Sequence, residues 1–403
     1  MDRPHVVLIH RYFAPDTPPY ATILRRIALG LAEGGMDVEV LTCQPSYNAA
    51  VVDTAPAYEQ INSHVVVTRW PVIQDRRSSI AKIANLVIFG ARVVRRLATI
   101  PRVDVIMAAS TPPVMIAMLA SMMAKIRGAR FVYHNQDLYP EVAEVIGGLP
   151  AAAVGILKRL DTATDHRSDR IVVLSEDMRR TLSDRGVDRA AVAIINNFDP
   201  WTLRNAEHHD YEAPTETIRF VYAGNLGSFQ NLEAVAEMIA RSATDDRFTF
   251  DFIGDGPLRP WLQQFVRDHN LQQVRLHGYL GPEILADKLQ SAYDVGIVSL
   301  HPGVIRCAYP SKMMSYIRNG LPVLALVERD SELVEVVGQY KSGWTADPSD
   351  ALGVMRTLDG LWEDRERLPI MRDEARRMYH TEFGEAGQIS SWVRMFDDLV
   401  RGS

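Results

Sequence analysis

The sequence predicts an α/β chain of two doubly wound halves, each an open parallel sheet with helices on both faces. Three observations carry that prediction. Short runs that are apolar on both faces alternate with amphipathic stretches of helical period, as a sheet covered on both sides requires. The chain has 403 residues, more than one core of ordinary size accommodates and enough for two domains of about 200. A polar, acidic stretch at 205–217 then interrupts the alternation, which starts afresh at 218. The expected division is a first domain over 1–204, a second over 205–378 and a helical tail over 379–403.

The first strand, 6–10, is a continuous apolar run. A helix follows over 22–35, where Ile23, Ile27 and Leu31 recur every four residues and Gly34 and Gly35 end it. Strands at 37–42, 65–70, 103–109, 130–135 and 170–175 complete the first half. The second half supplies 218–227, 248–257, 274–280, 295–300 and 322–327, and a last helix over 382–400 puts Trp392, Phe396 and Leu399 on one face. From Val105 to Ala124 twenty residues pass without a charge, about the length needed to cross a bilayer. Pro112 and Pro113 break that run, which reads instead as a buried strand followed by a helix with proline at its start.

A net charge of -6 argues against a chain whose task is to neutralise nucleic-acid phosphates, so any basic patch must be local. With 47% hydrophobic and 23% charged residues the chain is a folded one, not a disordered one. Two cysteines, Cys43 and Cys307, make neither a disulfide framework nor a structural zinc site, which favours a reducing compartment. Residues 1–10 hold too short an apolar run for a signal peptide. The expected location is the cytoplasm.

Ligands of open parallel sheets bind beyond the C-terminal ends of the strands, so the loops there are where chemistry is sought. The loop 224–231, GNLGSFQN, follows a strand and opens a helix at Leu232. It can cradle a phosphate or serve as an ordinary tight turn. Ser311 and Lys312 open a helix that Asn319 and Gly320 end. A lysine in a first helical turn is electrostatically misplaced unless an anion is shared between it and the N–H groups beside it, or unless water solvates it.

In order and spacing, 220–235, 252–262, 274–298 and 309–326 resemble the C-terminal half of retaining family-4 glycosyltransferases with the GT-B fold. The segments 10–42, STPP at 110–113, HNQDLYPE at 134–141 and 170–178 are similar to the branch that builds bacterial surface polysaccharides. The resemblance implies two Rossmann-like domains facing across a cleft, with the final helix crossing back to the first. It implies an enzyme moving a hexose-type sugar from a nucleotide-sugar donor, taken as UDP-linked, to a lipid-linked saccharide acceptor; with no carboxylate cluster of metal-ligand spacing in the strand-end loops, the expected enzyme is metal-independent and has no cofactor. By that resemblance Gly278 and Tyr279 present backbone to the base, and Gly224, Asn225, Ser311 and Lys312 hold the diphosphate with help from Arg306. Asp16, Pro18, Pro19, Tyr20 and Gln136 reach the transferred sugar and the acceptor.

The sequence also departs from the family pattern. The family carries two glutamates eight residues apart, the second bonded to the ribose; here Cys307 and Ser315 stand in those places, with Glu332 in the next loop as a substitute. The family's glycine pair in the first loop is Pro18 and Pro19. The family's histidine and aspartate correspond to Gln136 and Asp137, with His134 two residues earlier and pointing the same way. His134 is either catalytic or bonded within the sheet edge, and Asp137 is either catalytic or the cap of the next helix. These departures keep a second reading open, a binding or scaffold protein of the same fold without turnover.

The stretch 80–98 puts Ile83, Leu86, Val87, Val94 and Leu97 on one helical face and gathers Lys82, Arg92 and Arg96 on another. That is either a core helix with a solvated basic edge or a face for a lipid diphosphate acceptor or for anionic lipid at the inner leaflet, the last of which would make the protein a peripheral one.

Overall fold

A computed structural model describes residues 3–47, 54–73, 79–111, 114–147, 149–201 and 211–402. The chain divides into two compact units, Met1–Pro200 with Glu385–Ser403, and Trp201–Gly384. Pro112 and Pro113 lie outside the described residues, as does part of the polar stretch at 205–217.

The first unit is built on eight strands: β1 (His5–Ile9), β2 (Asp37–Cys43), β3 (Tyr58–Asn62), β4 (Val65–Trp70), β5 (Val105–Ala109), β6 (Arg130–His134), β7 (Arg170–Val173) and β8 (Val192–Ile194). Their order across the sheet is β3-β4-β2-β1-β5-β6-β7-β8, parallel except for the edge strand β3. β3 escapes sequence expectation because its residues alternate exposed and half-buried, without an apolar run. The connecting helices are α1 (Pro19–Glu33), α2 (Ser79–Thr99), α3 (Met115–Arg127), α4 (Tyr139–Ile146), α5 (Ala151–Asp165) and α6 (Glu176–Asp184). The uncharged run at 105–124 supplies β5 and most of α3.

The second unit holds an all-parallel sheet of β9 (Ile218–Ala223), β10 (Phe248–Ile253), β11 (Val274–His277), β12 (Val295–Ser299), β13 (Val323–Leu326) and β14 (Gly343–Ala346), in the order β11-β10-β9-β12-β13-β14. Its helices are α7 (Leu232–Arg241), α8 (Arg259–Asp268), α9 (Pro282–Ser291), α10 (Ser311–Arg318), α11 (Glu332–Tyr340), α12 (Ala351–Glu363) and α13 (Leu368–Met378). The last helix, α14 (Glu385–Arg401), packs on α1 of the first unit. Trp392, Phe396 and Leu399 are buried there among Ile23, Ile27 and Leu31.

In both sheets the strand order reverses beside the unit's first strand, between β1 and β5 and between β9 and β12. Those crevices at the C-terminal strand ends are where an open α/β sheet binds its ligands. Beyond β6 the chain is anchored by a buried charge cluster: the Arg185 guanidinium donates to Glu141 of α4 and, at 2.8 Å, to Asp161 of α5, with Asp165 at 3.4 Å. Tyr133 of β6 donates to the same Asp161 at 2.7 Å. Burial, reinforced by the Asp161 charge, pushes Asp165 up to about 8.

Candidate active site

In the second unit, glycine lets the loop ends of β9 and β10 touch. Gly224 and Gly254 take φ values of +132° and +136°, and a Cβ at Gly254 would lie 2.1 Å from the Gly224 carbonyl oxygen. Only glycine fits. The Gly254 N–H donates to the Gly278 carbonyl at 3.2 Å, so Gly224, Gly254 and Gly278 line up across the ends of β9, β10 and β11.

Lys312 reaches this row from the first turn of α10. Its Cε is 3.8 Å from where a Gly224 Cβ would stand. Its Nζ donates to the Tyr222 hydroxyl and, at 2.5 Å, to Gln230 Oε1. The Tyr222 hydroxyl also donates to the Asn225 carbonyl at 3.1 Å. Desolvation by burial holds the Lys312 ammonium well below the usual lysine pKa, and its hydrogen-bond partners among the described residues are two neutral side chains. α10 is pinned to β9 by Tyr316, whose hydroxyl accepts from the Ala223 N–H at 2.6 Å. Gly296 leaves room for that ring: a Cβ there would lie 2.6 Å from it.

The remaining second-unit residues sit around this centre in different ways. Ser311 is exposed and Ser315 half-buried on α10, while Tyr279 is 76% exposed just beyond β11. Cys307 is fully buried, its thiol directed at the Val304 carbonyl at 3.3 Å. Arg306 pairs with Asp330 at 2.7 Å and lies 3.9 Å from Glu328, which accepts from the Gly303 N–H at 2.9 Å. Glu332 opens α11. Beyond β13 and β14 a groove of about 490 Å³ is lined by Arg329, Asp347, Asp350 and Arg356, charges that pair with one another at 2.7–3.9 Å.

In the first unit a chain of hydrogen bonds runs through His134 at the end of β6. His134 is 1% exposed, in edge contact with Tyr20 and Trp392 at 5.3 and 4.7 Å between ring centres. Asn197 Nδ2 donates to Gln136 Oε1 at 2.7 Å, which turns the Gln136 amide nitrogen toward His134 Nε2 at 2.6 Å. With Nε2 accepting, the ring proton sits on Nδ1 and is donated to the Tyr20 hydroxyl at 2.8 Å. Burial, aided by His10, lowers the His134 pKa to about 3, so the ring is neutral. Ser110 Oγ accepts from the N–H groups of Gln136 and Asp137 at 3.0 and 3.3 Å. Asp137 is half-buried, with its carboxyl pushed up to about 6 by desolvation, and it makes no cap: α4 has Leu138 at its N-cap.

Tyr20, His134 and Gln136 are therefore one assembly, with Asp137 beside it. Asp16 is placed differently. Its carboxylate accepts from the backbone N–H groups of Thr17, Ser46 and Tyr47 at 2.9, 2.9 and 3.2 Å, fastening the loop after β1 to the segment after β2. Pro18 and Pro19 start α1, where a missing N–H costs nothing. Tyr222, Gln230, Ser110 and Asn197 are members that sequence reasoning does not single out. Gln230 stands inside the 224–231 loop and Ser110 opens STPP; nothing local marks Tyr222 or Asn197.

Two glycosyltransferase family models share the chain, the glycosyl transferase 4-like domain over 20–197 and glycosyl transferases group 1 over 217–364. With two open parallel sheets of this kind, the protein is a glycosyltransferase of the GT-B fold. A probable glycosyltransferase of Pseudomonas aeruginosa, WbjE, is 25% identical over 300 residues, 70% of this chain and 72% of the relative. Sucrose-phosphate synthase from Thermosynechococcus elongatus superposes with a TM-score of 0.74 at 16% identity, over 100% of both chains. HepE of Anabaena in complex with UDP matches with a TM-score of 0.67 at 14% identity, over 98% of this chain and 100% of that one. The lipopolysaccharide outer core galactosyltransferase WaaB, in its apo form, matches at 0.64 and 11% identity, over 99% of each chain. The chain belongs to the family-4 glycosyltransferases.

Proposed function

We propose that this glycosyltransferase moves a hexose-type sugar, with retention of configuration and without a metal ion, from a UDP-linked donor to a lipid-linked saccharide in bacterial surface-polysaccharide synthesis. The observation that carries the reading is Lys312, an ammonium held by two neutral partners beside the Gly224 loop. A diphosphate leaving group gains charge as its glycosidic bond breaks, and a desolvated cation positioned beforehand stabilises that charge more than the ground state. The donor lies on Gly224, Asn225, Ser311 and Lys312, its base at Gly278 and Tyr279 and its ribose toward Ser315 and Glu332. Arg306 joins the phosphates by exchanging Asp330 for them.

On the acceptor side Gln136, Tyr20, Pro18 and Pro19 border the transferred sugar, Asp16 keeps their loop in place and Asp137 supplies a carboxyl that titrates near neutrality. His134, closed in, acts by orienting Gln136 and Tyr20. Support for the donor comes from HepE, whose structure holds UDP, and support for the acceptor class from WaaB, a lipopolysaccharide outer core galactosyltransferase.

A thermal-shift screen against UDP, GDP, ADP and dTDP, followed by transfer to a lipid-diphosphate saccharide with the anomeric proton read by NMR, tests this reading. Stabilisation by UDP and product of the donor's anomeric configuration is the expected result. Inverted product, or stabilisation by another nucleotide alone, overturns the corresponding part. Nucleotide binding with no turnover on any acceptor makes the chain a binding protein of this fold.

A further inference from the structure

The three strands β9, β10 and β11 are apolar on one face and polar on the other. Phe220, Tyr222, Phe250, Phe252 and Leu276 belong to the core of the second unit. By the two-residue period of a strand, Arg219 of β9, Thr249 and Asp251 of β10, and Arg275 and His277 of β11 share the opposite face. Register sets Arg219 beside Thr249 and Arg275 beside Asp251. A parallel sheet covered on both sides carries apolar residues at such positions. Here α9 borders that face with Lys288 of its last turn and leaves a groove of about 460 Å³ open against the polar strands.

The groove is built on two buried supports. Asp294 is fully buried and fixes Arg219, accepting from its Nε at 3.0 Å and its Nη2 at 2.9 Å, while Tyr211 donates to the same carboxylate at 2.8 Å. The guanidinium therefore stands in one orientation, with Nη1 unbonded among the described residues. Tyr293, 5% exposed, donates to Asp251 Oδ2 at 2.8 Å, and His277 Nε2 donates to the same oxygen at 2.9 Å. Asp251 Oδ1 makes no hydrogen bond among the described residues.

The charges do not balance. Asp294 answers Arg219, which leaves Arg275 and Lys288 facing the single carboxylate of Asp251, and neither side chain has an ion pair or hydrogen bond among the described residues. An excess of cations beside a fixed guanidinium suits a phosphoryl group. The carboxylate among them discriminates, because it repels a bare phosphate and accepts from a hydroxyl. A ligand that satisfies both carries a phosphoryl group and hydroxyls together.

We propose that this groove is a second ligand site of the second unit, for a small phosphorylated sugar or polyol, with Arg219, Arg275 and Lys288 on the phosphoryl oxygens and Asp251 and Thr249 on the hydroxyls. Its volume is within the range of small-molecule sites. It is separate from the glycine row and Lys312: Arg219 stands five residues before Gly224, about 16 Å along an extended strand. At its other end His277 directly precedes Gly278, so a ligand in the groove touches the strand that leads into the glycine row.

The test is isothermal titration calorimetry of the full chain with glucose 6-phosphate, inorganic phosphate and glucose. The wild type should bind the sugar phosphate at least about tenfold more tightly than inorganic phosphate, and glucose not measurably. Arg275→Ala with Lys288→Ala should weaken the sugar phosphate at least about tenfold with an unchanged melting temperature, since neither side chain is bonded within the fold. Asp251→Asn should narrow the preference over inorganic phosphate, and Lys312→Ala should leave the binding in place. No binding by the wild type overturns the proposal, as does binding that Lys312→Ala abolishes and the Arg275, Lys288 pair does not, which would put the ligand in the donor site. Equal affinity for inorganic phosphate overturns the assignment of a sugar or polyol. Sedimentation velocity that shows a wild-type dimer and a monomeric double variant would make the face a self-association surface instead. None of these measurements needs a donor or an acceptor, so failure here is separable from failure of the transfer reaction.

Discussion

The Lys312 ammonium lies 3.6 Å from the centre of the Tyr222 ring and donates to the hydroxyl of that same tyrosine. One side chain at the end of β9 thus holds the cation by its π face and by its oxygen. The strand that leads into the glycine loop also fixes where the positive charge waits.

Lys312→Ala is expected to lower transfer about a hundredfold, roughly 3 kcal/mol of lost stabilisation of the departing diphosphate. The fold should persist, as circular dichroism and an unchanged melting temperature would show. EDTA should leave the wild-type rate unchanged. If EDTA stops transfer and Mn²⁺ restores it while Lys312→Ala keeps its rate, a metal stabilises the leaving group instead.

Because Lys312 is held below its usual pKa by desolvation, an arriving diphosphate favours the charged form and raises the pKa again. UDP binding should therefore take up protons at alkaline pH, and calorimetry in buffers of different ionisation enthalpy measures that uptake. Uptake should vanish in Lys312→Ala, and an uptake that survives the substitution assigns the proton to another group.

Asp137 gives a stability profile with a definite sign. Its folded pKa is raised from 3.8 to about 6 by burial, so its favourable contribution is complete below about pH 4 and is lost as pH rises through 6. Asp137→Asn should be more stable than wild type above pH 6, by at most about 3 kcal/mol, and equal to it near pH 4. Urea titrations at the two pH values check this. If Asp137 is also the titrating group of the reaction, transfer by the variant should fall while its stability rises.

Gly30 of α1 faces Ile389 of α14, and a Cβ at 30 would stand 2.3 Å from the Ile389 Cγ2 atom. Gly34 meets Val393 in the same way, at 2.6 Å. Gly30→Ala gains helix propensity of about 1 kcal/mol yet overpacks this contact, and the net expectation is a loss of about 1–2 kcal/mol. Adding Ile389→Ala should recover part of that loss. Additive costs in a double-mutant cycle by urea denaturation would mean that the two helices do not meet here in solution.

Alternating periods, turn residues and the ordered motifs specified the parallel α/β class, the glycine loop at Gly224 and the helix start at Lys312, because each of these is written in residues close together along the chain. Tertiary structure alone decided what Lys312 touches, since Tyr222 stands 90 residues earlier and reaches it only because β9 lies in the sheet beside β12, the strand before α10. It likewise decided that Asp16 fastens a loop through backbone N–H groups and that Arg96 answers Glu39. α2 shows the reason most plainly. Its period places Ile83, Leu86, Val87, Val94 and Leu97 together, but the helix is apolar on more than one side, and the sheet buries Phe89, Val93 and Leu97 while leaving Ile80, Ile83 and Val87 outside. A helical period records which residues share a side; which side is covered depends on the partner, and that is set by long-range packing that no local pattern encodes.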